Sequence, residues 1–122
     1  MRLKIHSDGF EGYAKRSLER AKKLSQGKKI KPELLITFDD PLKMATAITP
    51  QRIRVCYSVR QQPLSVSELA TKLHRDRKAV SRDVTVLEDL GLVKTHLQSN
   101  PGHGRVRIVE AAAKKFDLRV AF

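Results

Sequence analysis

Lys78, Ser81, Arg82 and Thr85 fall within one short stretch, at spacings that put them on one side of a helix. They are an ammonium, a guanidinium and two hydroxyls, with no general base set beside a nucleophile. Their chemistry is recognition rather than bond-making. A guanidinium is a planar fork that grips two acceptors at once, such as the pair a guanine shows in the major groove of DNA. Lys78, Ser81, Arg82 and Thr85 are therefore base-reading candidates, with Arg82 foremost. Arg75 and Arg77 lie just before them and are expected to reach phosphates. Asp83 breaks the basic run; it holds Arg82 or Arg77 in place, or accepts from a cytosine amine. Ser65 and Ser67 offer hydroxyl or N–H contacts to phosphate from the start of the preceding helix. His103, Arg105 and Arg107 form a second basic group, suited to a narrow minor groove.

Nothing else in the chain is arranged for catalysis. His6, His74, His96 and His103 are too scattered for a ligand cluster, and no H-E-x-x-H spacing occurs. His96 and His103 can approach each other, but as a surface pair. Asp39 and Asp40 precede Pro41, which suits helix capping. Gly102 and Gly104 belong to a turn, not to a phosphate loop. The single cysteine, Cys56, sits among apolar neighbours and excludes both an internal disulfide and a cysteine metal site. No enzyme, metal or cofactor is expected.

The elements that position the basic residues are strongly signalled. Ser65 and Glu68 have the S-x-x-E spacing of a capping box, so a helix starts at Val66 with Val66, Leu69, Ala70 and Leu73 inward. His74-Arg75-Asp76 is the turn, with Asp76 as the next N-cap. Val80, Val84, Leu87 and Leu90 then form one apolar stripe, and Gly91 closes the helix. Past Gly91 the period changes to two: Val93, Thr95 and Leu97 alternate with Lys94, His96 and Gln98, and Val106 and Ile108 with Arg105, Arg107 and Val109. Ser99 to Gly104, SNPGHG, is a turn between the two strands. Helix, turn, helix and hairpin make a winged helix-turn-helix.

These residues carry a resemblance. SVSELATKL followed by KAVSRDVTVLEDLGLV is similar to winged-helix regulators of the MarR/ArsR kind, down to the LEDLGLV exit from the second helix. His74 departs from that pattern, which often has glycine there.

The charge agrees with such a role. The chain has 122 residues and 25 Lys+Arg against 13 Asp+Glu, a formal net charge of +12, which favours a polyanionic partner. Aromatics are only 5%, too few for stacking platforms on single strands. No signal peptide is visible, and no run approaches the ~20 apolar residues of a membrane span, so a cytoplasmic location without membrane contact is expected.

Before the winged region, Leu3 and Ile5 mark a short strand. A helix follows from about Gly9 to Gln26, N-capped by Asp8, with Phe10, Tyr13, Ala14, Leu18, Ala21 and Leu24 as its apolar stripe. Lys28, Lys29 and Lys31 form a solvated loop or a phosphate contact. Leu34 to Phe38 is a strand, and a short helix runs from Pro41 to about Ile48. Thr49-Pro50 starts a support helix with Ile53, Cys56, Tyr57 and Val59 inward. Phe116, Leu118, Val120 and Phe122 mark a C-terminal strand.

The expected fold class is α+β. An N-terminal strand-helix-strand arm, residues 1–48, precedes a winged helix-turn-helix domain with its C-terminal strand, residues 49–122. The arm's strands and the last strand are expected to cover each other or to be covered by a second chain. ITFDDPLKMATAITPQRIRVCYSV before PLSVSELATKL also resembles a group of small predicted regulators with a β-helix-β arm. That resemblance implies DNA binding, and with the helix-turn-helix the expectation is a sequence-specific regulator of double-stranded DNA, a repressor or autorepressor. Two-fold half-sites make a homodimer the expected form, with the arm as the dimer or partner contact. The resemblance also implies an alternative, a type II antitoxin that binds a partner toxin. A protein-docking winged helix without DNA affinity is a third reading.

Overall fold

The computed structural model describes residues 2–7, 9–27, 33–38, 40–102 and 104–119. In chain order the elements are β1 (Arg2–His6), α1 (Gly9–Ser25), β2 (Glu33–Thr37), α2 (Pro41–Ala47), α3 (Pro50–Val59), β3 (Leu64–Ser65), α4 (Val66–Leu73), α5 (Arg77–Leu90), β4 (Val93–Asn100), β5 (Gly104–Ala111) and β6 (Lys115–Arg119). They divide into two compact units, residues 1–47 with 115–122, and residues 48–114. The roles expected of Asp8, Lys28, Lys29, Lys31, Asp39, His103, Val120 and Phe122 lie outside the described residues.

The first unit is a three-stranded sheet in the order β2-β1-β6, with β1 parallel to both neighbours. This corrects the expected boundary: the C-terminal strand belongs with the N-terminal arm, because Arg2 to His6 pair with Lys115 to Arg119 along their whole length. Parallel neighbours need a crossover, which α1 supplies between β1 and β2. Ile5 is buried on the central strand, and the Arg16 guanidinium of α1 donates to His6 Nδ1 at 3.1 Å. Asp40 caps α2, its carboxylate accepting from the Lys43 N–H at 2.8 Å, and Met44 is that helix's buried residue.

The apolar stripe expected of α1 is not a core face. Tyr13, Leu18 and Leu24 are 50%, 66% and 62% exposed.

The second unit is a winged helix-turn-helix. Thr49 caps α3, accepting from the Arg52 N–H, with proline at the first helical turn. The inward face of α3 is Val55, Cys56 and Val59, which corrects the expected one: Ile53 and Tyr57 point outward, and the Arg60 guanidinium lies 4.1 Å from the Tyr57 ring centre. The core is closed by Leu69 from α4, Val80, Val84 and Leu87 from α5, and Leu92, Val93 and Val109 at the hairpin base. Burial stabilises each large side chain by roughly 1.5–3 kcal/mol. Burial pushes the Cys56 thiol up to about 12, which leaves it an inert core group.

The hairpin of β4 and β5 is antiparallel, running from Val93↔Ala111 to Asn100↔Gly104, and β3 adds a third strand through Leu64↔Val109 and Ser65↔Ile108. Only its base is buried. Leu97 is 61% exposed, so the period of two reports strand conformation along the outer half of the wing, not a covered face.

Candidate nucleic-acid interface

The capping box forms as the spacing predicts: Ser65 Oγ accepts from the Glu68 N–H at 3.1 Å, and the Ser65 N–H donates to Glu68 Oε1 at 3.0 Å. That geometry fixes the start of α4, and it engages Ser65 internally, with the residue buried. The Ser65 N–H and one lone pair of its hydroxyl are thus taken up by the cap. Ser67, one turn-position further on, is half-buried at the mouth of a groove. At the other end of α4, His74 takes the left-handed conformation, φ 53° and ψ 47°, and closes the helix where glycine is usual.

Asp76 then caps α5, accepting from the Lys78 N–H at 3.2 Å. With Val80, Val84 and Leu87 buried, 100° per residue sends Lys78 and Arg82 to the opposite side, and both are exposed. Asp89 shares that exposed face. Sequence reasoning passed over it, although its spacing of seven from Arg82 is the signal that finds it.

The two flanks of α5 are each held by a carboxylate. On one flank Asp83 accepts from Arg75 at 2.7 Å and from Arg52 Nε at 3.2 Å. This corrects the expected partners of Asp83, Arg82 and Arg77: Asp83 turns away from the outer face, and the support helix and the α4–α5 turn supply the cations. Arg75, expected at a phosphate, is held on protein by this short charge-assisted bond.

On the other flank Arg107 reaches from β5 across α5. It donates to Glu88 at 3.2 Å, to Thr85 at 3.1 Å and, at 3.5 Å, to Ser81. Glu88 also accepts from the Thr95 hydroxyl of β4. That hydroxyl first, and the Arg107 guanidinium after it, hold the Glu88 carboxyl below the usual carboxylate range. Thr85 spends its own proton on the Ser81 carbonyl at 3.0 Å. Ser81 and Thr85 are thus engaged by Arg107, and Arg107 is turned onto α5.

Between α4, α5 and the wing lies a groove of about 1240 Å³. It brings together Ser65, Ser67, Arg77, Lys78, Ser81, Arg105 and Arg107. Gln98 and Asn100 on β4 face the same groove and are additions that alternation alone did not single out. Arg82 and Thr85 stand outside it, on the outward side of α5, and Arg75 lies on the flank held by Asp83. Among the described residues no group of three or more His, Cys, Asp or Glu could hold a metal ion. No described helix is long and apolar enough to cross a membrane.

The HVO_A0114 family matches residues 47–111, the span from the end of α2 to the end of the wing. The uncharacterised HTH-type transcriptional regulator MJ0229 of Methanocaldococcus jannaschii is 33% identical over 78 residues, 63% of this chain and 81% of that protein. Among solved structures, a possible transcriptional regulator from Methanosarcina mazei Go1 superposes with a TM-score of 0.50 at 23% identity, covering 57% of this chain and 61% of that one. Reduced HlyU from Vibrio cholerae superposes with a TM-score of 0.47 at 23% identity, covering 57% of this chain and 66% of that one. The chain therefore spans less than two thirds of the length of either structure. The match over more than half its length and the archaeal relative agree with the geometry: the chain belongs to the HVO_A0114 family, and the winged helix-turn-helix is the part that the family match covers.

Proposed function

We propose that the protein is a sequence-specific, double-stranded-DNA-binding transcriptional regulator that represses by occupying an operator, in the simplest case its own. The observation that carries this reading is the exposure of Lys78 and Arg82 on the side of α5 opposite its buried stripe. A helix fits the major groove, and there Arg82 reads a guanine while Lys78 adds a second donor. Arg77 reaches a phosphate from the groove beside α5, Ser67 offers its hydroxyl there, and Arg105 lies over the adjacent minor groove. A net charge of +12 supplies the attraction common to all sequences. The relative's description as a transcriptional regulator supports the same role.

The regulator acts in the cytoplasm and as a homodimer, since two-fold operators are matched by two copies. Size-exclusion chromatography with light scattering tests the second point, and a monomer at high concentration contradicts it. The toxin-partner alternative gains no support from the relatives. The test of the main reading is fluorescence anisotropy with a duplex from upstream of the gene and a scrambled duplex, across a salt series. Tighter binding to the native duplex with a steep salt slope supports a regulator. Equal, weak binding to both leaves only the attraction of the net charge.

A further inference from the structure

The carboxylates on the flanks of α5 have no place in base reading as described. Asp83 is only 13% exposed, and each of its oxygens holds a guanidinium whose own side chain is about 80% covered, 21% exposed for Arg52 and 20% for Arg75. On the opposite flank Glu88, more open at 37% exposed, holds Arg107 with one oxygen while the other accepts from Thr95. Three arginines that border the DNA-facing helix are thereby turned onto the protein. One of them, Arg75, directly precedes the N-cap of α5, the end of the helix that enters the major groove, between the two phosphate backbones, in a helix-turn-helix complex.

Cations that reach phosphates raise affinity for every sequence alike, whereas contacts to base edges raise it for one. Specificity is the difference between the two affinities. A net charge of +12 already attracts every polyanion, so each further arginine offered to phosphate erodes discrimination. We infer that Asp83, with Glu88 as its counterpart, is a specificity-determining residue that acts by withholding Arg52 and Arg75 from the DNA backbone. It touches no base; it positions cations away from phosphates. This inference rests on the DNA-binding reading above.

The test is the salt dependence of binding to a random duplex, with the native upstream duplex measured alongside, by anisotropy for the wild type and three variants. Asp83→Asn keeps the shape and removes the charge. It should tighten random-duplex binding several-fold, steepen the slope of log K against log salt by about 0.9 for each arginine released, and lower the native-to-random ratio. Glu88→Gln should do the same for one arginine. Arg75→Gln in the wild-type background should leave the slope unchanged, because a withheld arginine contacts no phosphate. A residue that merely supports the fold would weaken binding to both duplexes and steepen nothing.

An unchanged or shallower slope for a folded Asp83→Asn overturns the inference. So does a slope about 0.9 shallower for Arg75→Gln, which decides the matter even if Asp83→Asn fails to fold. A wild type that binds random duplex with a salt slope but shows no preference for the native site contradicts the regulator instead, and the two failures are thus told apart.

Discussion

His74 and Gly91 occupy equivalent places and should respond oppositely to exchange. Each ends a helix with the same pair of hydrogen bonds: His74 N–H to Thr71 O at 3.3 Å with Arg75 N–H to Ala70 O at 3.0 Å, and Gly91 N–H to Glu88 O at 3.0 Å with Leu92 N–H to Leu87 O at 2.9 Å. Both residues are left-handed, at φ 53° and φ 85°. A side chain in that region costs roughly 1–2 kcal/mol, and His74 bears that cost. His74→Gly removes it and adds back roughly 0.5–1 kcal/mol of unfolded-chain entropy. The net expectation is a gain of about 0.5–1 kcal/mol, roughly 2–8 °C in Tm for a domain of this size. Gly91→Ala should lose about as much or slightly more. Nothing lies within 4 Å of the place where its Cβ would sit, so the loss is conformational and carries no clash. Urea titrations followed by circular dichroism, with unchanged m-values, measure both. A lower midpoint for His74→Gly, or a neutral Gly91→Ala, would refute this account of the two helix ends.

Two further outcomes follow from the hydrogen bonds of the second unit. Ser65→Ala removes the acceptor for the Glu68 N–H and should cost about 1 kcal/mol in urea midpoint, with loss of the helix start as its cause. Glu88→Gln should show a pH-dependent stability difference from the wild type. A carboxyl held below its unfolded value contributes stability above that value and loses it as pH falls through the folded one. The gap should therefore be open at about pH 7 and close as pH falls below the ordinary carboxylate range, and it should be small because Glu88 is 37% exposed. A gap independent of pH would mean that shape, not charge, matters at Glu88.

The second unit was legible where local chemistry determines structure. Ser65, Glu68, Asp76 and Gly91 each act on neighbours within a turn, and all four cap as their spacing predicts. Long-range pairing was less legible. β3 has two residues and therefore no period to detect. Although alternation at Phe116 and Leu118 points to a strand covered by the arm or by a second chain, nothing local gives its parallel register on β1, more than a hundred positions earlier. The inward face of α3 was misread because the helix has two apolar pairs at spacing four, Ile53 with Tyr57 and Val55 with Val59, and only packing chooses between them. At the candidate interface, residue types singled out most of the side chains that the fold gathers around one groove, but not their partners. Arg75 is of a type that suits a phosphate and Arg107 of one that suits a minor groove, yet a carboxylate that the fold brings near pairs with each.

The central claim is that α5 reads bases through its outward face, and Arg82→Ala tests it most directly. Anisotropy competition between the native upstream duplex and a scrambled one, at a single stated salt concentration, gives the specificity ratio for wild type and variant. The account predicts a fall in that ratio worth ~1–3 kcal/mol, with random-duplex affinity little changed. A ratio that survives the loss of Arg82, or an equal loss on both duplexes, would contradict the assignment of the reading face to Lys78 and Arg82.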